Sequence, residues 1–340
     1  MHAHTLLLEV IVVNSTRLDP YVQIYEQYSL IRHPPLTEES EHPFVAATSP
    51  DVYLWGLTAK ALRAFINFGH LSIVPSDDDP QIPRAGLLKG RRFKLQSLRW
   101  GFESNNPSPT DPFVAFLRTQ HDLVHLEVGS QPSMENFYWL PDNHDFCPNL
   151  TSISCHIRSA GHVMTKRRKV VAMKLWNPMP LDSVALRDWS TLCALQYLSI
   201  PMYLIPALNR NDINTILLET TWDVSTIELL SGLPNLRVLV LARDAIRDNI
   251  LGYNTMDVKE ECDLRFQLAI ESFRRCPKLE YVIVEDITRN RDVRQNQRGY
   301  RKMTMSGPKG DPNALPDIQC EDFTVEQEPG KQWWTAYGAE

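Results

Sequence analysis

Apolar residues recur along the chain in one short spacing, apolar-x-x-apolar-x-apolar. The copies are Phe68/Leu71/Ile73, Leu95/Leu98/Trp100, Leu123/Leu126/Val128, Leu150/Ile153/Cys155, Val170/Met173/Leu175, Leu195/Leu198/Ile200, Ile213/Ile216/Leu218, Leu236/Leu239/Leu241 and Leu279/Val282/Val284. Leu8/Ile11/Val13 is a weaker copy, and the run Leu6 to Val13 reads as a strand. The last two apolar positions are two apart, so both side chains leave one face of a short strand. The first sits three earlier, at the turn into it. One such unit cannot bury its apolar face alone, whereas stacked copies pair their strands in parallel and share a core.

The segments between copies read as helices or irregular returns. Asp111-Pro112 ahead of Phe113, Phe116 and Leu117 is an N-cap, a first-turn proline and an apolar face. Thr221 or Asp223 caps a short helix carrying Val224, Ile227 and Leu230, and residues 260–275 place Leu264, Leu268 and Phe273 on one side of another. Three returns enter the next strand through related turns, Cys147-Pro148-Asn149-Leu150, Leu233-Pro234-Asn235-Leu236 and Cys276-Pro277-Lys278-Leu279. Between middle positions the copies step by 27, 28, 27, 20, 25, 18, 23 and 43 residues. The first seven steps lie in or near the roughly 20–29 residue period of leucine-rich repeats, and residues 242–262 read as an inserted loop. The expected fold is α/β: an irregular leucine-rich-repeat solenoid of short parallel strands with helical or irregular returns. A doubly wound sheet is the competing architecture. The expected division is an N-terminal cap or irregular segment over 1–60, repeats over 61–287 and a polar, largely mobile tail over 288–340.

Composition agrees with a folded chain. It is 43% hydrophobic and 22% charged, and Leu, at 40 of 340 residues, is about one in eight. The net charge of −6 and pI of about 5.9 do not suit a protein built to coat nucleic acid. The only early apolar run is too short for a membrane span, which needs about 20 residues, and no membrane partner is expected. Six cysteines without regular spacing read as reduced thiols of an intracellular protein, cytoplasmic or nuclear.

Catalytic chemistry does not surface. There is no phosphate-binding glycine loop and no nucleophile elbow, and no catalytic residue, cofactor or metal site is assigned. His121 and His125 are four apart but straddle a predicted turn and strand. Cys147, Cys155, His156 and His162 resemble a zinc set, yet Cys155 holds a core position. Asp77-Asp78-Asp79 and Lys166-Arg167-Arg168-Lys169 read as solvated loops. Residues 288–310 carry seven Lys or Arg and one Asp, whereas 311–328 carry six Asp or Glu and no base. Such blocks stay mobile or fold back on each other weakly. Trp333 and Trp334 either dock on the solenoid end or form a free aromatic motif.

Residues between core positions point to the opposite, concave face. Early copies put Ser97, Arg99, His125, Glu127, Ser152 and Ser154 there. Later copies put Tyr197, Ser199, Thr215, Leu217, Val238, Val240, Tyr281 and Ile283 there. The change from polar to apolar marks a candidate protein-binding patch of Tyr197, Leu217, Val238, Val240, Tyr281 and Ile283, unless the tail or the 242–262 insertion covers it.

The segments FCPNLTSISC (146–155), LCALQYLSIP (192–201), LLSGLPNLRVLVL (229–241) and FRRCPKLEYVIVED (273–286) carry a resemblance. Over about residues 60–290 the chain resembles the repeat region of fungal, particularly basidiomycete, F-box-like leucine-rich-repeat proteins. The resemblance implies substrate recognition for an SCF ubiquitin ligase, with the repeats holding a protein target of unknown identity. Residues 1–60 show no F-box, so the SCF adaptor is a partner only where an F-box is supplied elsewhere. The expected role is thus a non-enzymatic interaction scaffold. The alternatives are an α/β hydrolase or transferase, and a nucleic-acid binder acting through the basic block.

Overall fold

The structure, a computed structural model, describes residues 2–18, 21–28, 50–74, 87–101, 112–128, 146–156, 160, 169–176, 195–200, 214–221, 228, 230, 233–242, 258–285, 297–306, 317–326 and 333–337. The chain forms two compact units. The first is Met1–Gln131 with Glu135–Leu150 and Thr165–Arg168; the second is Pro132–Met134, Thr151–Met164 and Lys169–Glu340. Both are α/β, each built on an open, mostly or wholly parallel sheet.

The first unit contains α1 (His2–Val13), α2 (Ser15–Leu18), β1 (Ile24–Tyr28), α3 (Pro50–Ala64), β2 (His70–Val74), β3 (Ser97–Trp100), α4 (Pro112–Leu117) and β4 (His125–Val128). The strands lie in chain order and pair in parallel, with Tyr25, Leu71, Leu98 and Leu126 in one row. Behind them runs a file of buried rings. Phe65 and Phe68 lie 4.5 Å apart, Phe68 meets Phe93 edge-on at 5.4 Å, and Phe93 meets Phe116 at 5.5 Å. Gln120 is also buried, and its amide serves the backbone: Oε1 accepts from Leu95 N–H at 2.9 Å and Nε2 donates to the Phe93 carbonyl at 3.3 Å.

The N-terminal reading needs correction. Leu6 to Val13 is helix, not strand, and Leu8 and Ile11, three apart, turn inward. A short apolar run carries no period that separates the two states. The strand at this edge is β1, which the sequence pattern missed because Gln27 fills a core position. Its Oε1 accepts from Tyr25 Oη at 2.6 Å and Thr58 Oγ1 at 2.9 Å, so the buried amide oxygen is satisfied. α3 runs through position 60.

The second unit contains β5 (Ser152–His156), β6 (Ala172–Trp176), β7 (Tyr197–Ile200), β8 (Leu217–Thr221), β9 (Val238–Ala242), α5 (Val258–Arg275), β10 (Tyr281–Glu285), β11 (Gln297–Ser306) and β12 (Asp317–Glu326), then a 3-10 turn at Thr335–Tyr337. β5 to β10 are parallel in chain order; β11 and β12 follow antiparallel. α5 buries Leu268 and Phe273 and leaves Leu264 half-buried, and it starts inside the stretch read as an inserted loop. Residues 243–257 lie outside the described residues, as do 222–227 and 229 of the helix expected near 221–230; Thr221, expected as a cap, instead ends the strand β8, and Leu230 is buried.

One backbone device repeats in both units. Before several of the parallel strands, the preceding carbonyl accepts two amide protons from the next copy. Gly69 takes Gln96 N–H and Ser97 N–H at 2.8 and 3.1 Å, Gln196 takes Ile216 and Leu217 at 2.8 and 3.1 Å, and Ile216 takes Arg237 and Val238 at 2.8 and 3.0 Å. The strands therefore start in step.

This register corrects one copy. Ile216 occupies the carbonyl position of Gln196, and Leu218, not Ile216, stands between Leu198 and Leu239. The copy is Thr215/Leu218/Thr220. Its two threonines are buried, and Thr215 Oγ1 reaches the Leu195 carbonyl at 3.4 Å. Polar residues at two apolar positions hid it, and Thr215 belongs to the core side, not to the opposite face.

The three proline turns close alike, with Leu150 N–H on Cys147 O, Leu236 N–H on Leu233 O and Leu279 N–H on Cys276 O at 2.9 to 3.2 Å. In two of them the leading cysteine thiol reaches back to a carbonyl of the preceding segment, Cys147 to Leu117 at 3.5 Å and Cys276 to Leu230 at 3.4 Å.

The segment after 288 also departs from expectation. β11 pairs with β10 and β12 with β11, so much of the expected tail completes the sheet. The basic and acidic blocks face each other across that hairpin, with Arg301 Nε 2.8 Å from Asp322 Oδ1. Met303 and Met305 turn into the core.

Candidate protein-binding face

In the second unit the register aligns the residues opposite the core in two rows. One runs Ala172, Tyr197, Leu217, Val238, Tyr281, Thr304; the next runs Lys174, Ser199, Glu219, Val240, Ile283, Lys302. All six residues of the expected patch thus share one face, in adjacent rows. They are not an open surface. Tyr197, Leu217, Val238, Val240 and Ile283 are buried in one apolar cluster with Tyr300, Val325, Trp334 and Tyr337, and Tyr281 packs against it. The chain covers its own patch, since exposed apolar area costs about 25 cal/mol per Å².

The cover is aromatic. Trp334 stacks on Tyr197 with centroids 4.8 Å apart and planes 11° apart. Tyr337 meets Tyr300 edge-on at 5.7 Å, and its carbonyl accepts the Tyr281 phenol at 2.8 Å. Burial, with Glu280 adding to it, pushes the Tyr281 pKa up, so that phenol keeps its proton. Two lysines rim the cluster. Lys174 Nζ lies 3.0 Å from Glu219 Oε1 and 5.6 Å from the Trp333 ring centroid, and Lys302 Nζ sits 4.1 Å over the Tyr281 ring. The sequence reading missed Lys174, Glu219, Lys302, Tyr300 and Tyr337. Period-two alternation from Leu217 would have found Glu219; Tyr337 carries no local pattern at all.

The corresponding face of the first unit is polar. His70, Ser97 and His125 form one row, and Glu26, Ser72, Arg99 and Glu127 the next. Arg99 Nε lies 3.0 Å from Glu127 Oε1. Burial holds the pKa of both imidazoles below the ordinary 6.5; for His125, Glu127 opposes this while Arg99 and His70 add to it. A depressed histidine takes a proton more readily when unfolded, so stability is full above pH about 6.5 and falls as the pH drops below it. The thermal midpoint should fall from pH 7 to pH 5, and His125→Gln should flatten that fall. An unchanged pH slope in the variant would remove His125 as its source.

The other candidate chemistry stays separate. His121 is exposed in the turn before β4, whereas His125 lies on that strand. Burial raises the Cys155 thiol to about 12 and the Cys276 thiol to about 11, which keeps both protonated at neutral pH. His162, Asp77 to Asp79 and Lys166 to Arg168 lie outside the described residues. Among the described residues no group of three or more His, Cys, Asp or Glu is placed to hold a metal ion, and no helix is long and apolar enough to cross a membrane. No protein-family model and no curated protein matches the chain.

Proposed function

We propose that the chain is a non-enzymatic protein-interaction scaffold, an irregular leucine-rich-repeat solenoid that recognises a target for ubiquitin ligation. The observation that carries this reading is the aromatic and aliphatic face of β6 to β10, which holds a short peptide segment through ring stacking and lysine-rimmed edges. Buried aromatic anchors within a polar rim are how protein-binding sites obtain affinity. The repeated carbonyl device and the in-step strands support the repeat architecture. The resemblance in residues 146–155, 192–201, 229–241 and 273–286 supports the ubiquitin-ligase role, with the adaptor recruited through an F-box supplied elsewhere.

A photo-crosslinking residue in place of Lys302, at the rim, should capture a protein in cells that the same residue in place of exposed Lys89 does not. Depleting the chain should then raise the steady-state level of that protein, and proteasome inhibition should remove the difference. Identical captures from both positions would refute the binding face. A level that does not move would refute the ubiquitin-ligase role.

A further inference from the structure

We infer that residues 333–337 occupy, as a built-in stand-in, a site whose external ligand is a tryptophan-bearing peptide; the inference rests on reading this face as protein-binding. The segment is held differently from the rest of the unit. It adds no strand to the sheet. Its turn closes on itself, Tyr337 N–H to Trp334 O at 3.1 Å, and its carbonyl contact with the sheet is to a side chain, the Tyr281 phenol. β12, by contrast, is paired with β11 along its whole length. Segments that are not strands of a sheet open at lower free energy than paired strands.

The fit also leaves polar atoms unanswered. Trp333 Nε1 and Glu219 Oε2 are buried without a hydrogen-bond partner, and both belong to residues flanking Lys174. A permanent core seldom leaves such atoms without a partner. A peptide that stacks a tryptophan on Tyr197 and brings an amide or basic donor to Glu219 Oε2 would satisfy what the chain's own segment leaves open. The indole slot against Tyr197 sets the aromatic requirement, and the unpaired carboxylate oxygen sets the requirement for a donor beside it.

The test uses full-length protein and a fluorescent peptide of residues 331–340, KQWWTAYGAE, as the probe. In wild type the segment in cis competes, so the apparent affinity is reduced by the closed fraction. Trp334→Ala with Tyr337→Ala should bind the probe at least about tenfold more tightly than wild type. Adding Tyr197→Ala should abolish that binding, as should replacing both tryptophans of the probe by alanine. Circular dichroism establishes that the variant is folded; if it is not, Trp334→Ala alone, which empties the slot and leaves Tyr337 in place, provides the same comparison. No binding by a folded variant, or equal binding by wild type and variant, overturns the inference. Either result leaves the crosslinking at position 302 to judge the binding face independently.

Discussion

Phe93→Ala should cost about 3–5 kcal/mol, the range for emptying a fully enclosed aromatic site, and should be the most damaging single truncation in the first unit. Phe93 is completely buried between Phe68 and Phe116, edge-on to both. Its removal forfeits transfer energy, two ring contacts worth roughly 0.5–1.5 kcal/mol each beyond area, and leaves a cavity between fixed strands. Its carbonyl also accepts from buried Gln120, whose amide holds Leu95 N–H, so a backbone shift to fill the cavity would strain those bonds. The neighbouring Arg92 is exposed, and Arg92→Ala should change stability by no more than about 0.5 kcal/mol. Urea unfolding followed by circular dichroism measures both. A Phe93→Ala loss as small as that of Arg92→Ala would mean that the ring file is not what supports the four strands.

Leu218→Ala should cost about 2–5 kcal/mol and Ile216→Ala about 1 kcal/mol or less. The repeat spacing alone puts Ile216 in the core; the register puts Leu218 there, fully buried, and leaves Ile216 half-buried at the position before the strand. The contrast decides between the two registers, because a slip of two residues preserves the facing of side chains within the strand yet exchanges which residue fills the layer between Leu198 and Leu239. With Leu218 in that layer, the steps on either side become 20 and 21 residues, where the apolar pattern suggested 18 and 23. If Ile216→Ala proved the costlier change in urea titrations, the Thr215/Leu218/Thr220 assignment would fall.

The copies that were legible share one property: their inward positions are filled by residues that have no use for water. Leu98, Leu126, Ile153, Met173, Leu198, Leu239 and Val282 could all be placed because each is apolar and each begins at the same offset from its turn. Where a polar side chain takes an inward position and satisfies itself locally, the signal vanishes. Gln27 does so through Tyr25 and Thr58, and Thr215 through the Leu195 carbonyl. The first helix was misread for a different reason: seven apolar residues around Glu9, without alternation, suit either state, and α1 packs against α3, with Glu9 Oε1 accepting the Tyr53 phenol at 2.8 Å.

The charged hairpin is a case of correct composition and wrong consequence. A basic block followed by an acidic one reads as two solvated stretches, because neither contains an apolar face in helical period. In β11 and β12 the charges lie opposite one another while Tyr300 and Val325 are buried on one side of the sheet and Met303 and Met305 on the other. Pairing is what turns these residues into a pattern.

The sequence by itself determined which side chains share a strand face, since the alternation of a strand is a local property with a period of two. It therefore put Tyr197, Leu217, Val238, Val240, Tyr281 and Ile283 on one face, where the strand register also aligns them. Only the tertiary structure decided that this face is closed, and by what: Trp334 and Tyr337 come from far along the sequence, and no local spacing encodes a contact made across so many residues. Burial depends on what lies opposite, and what lies opposite is set by the fold.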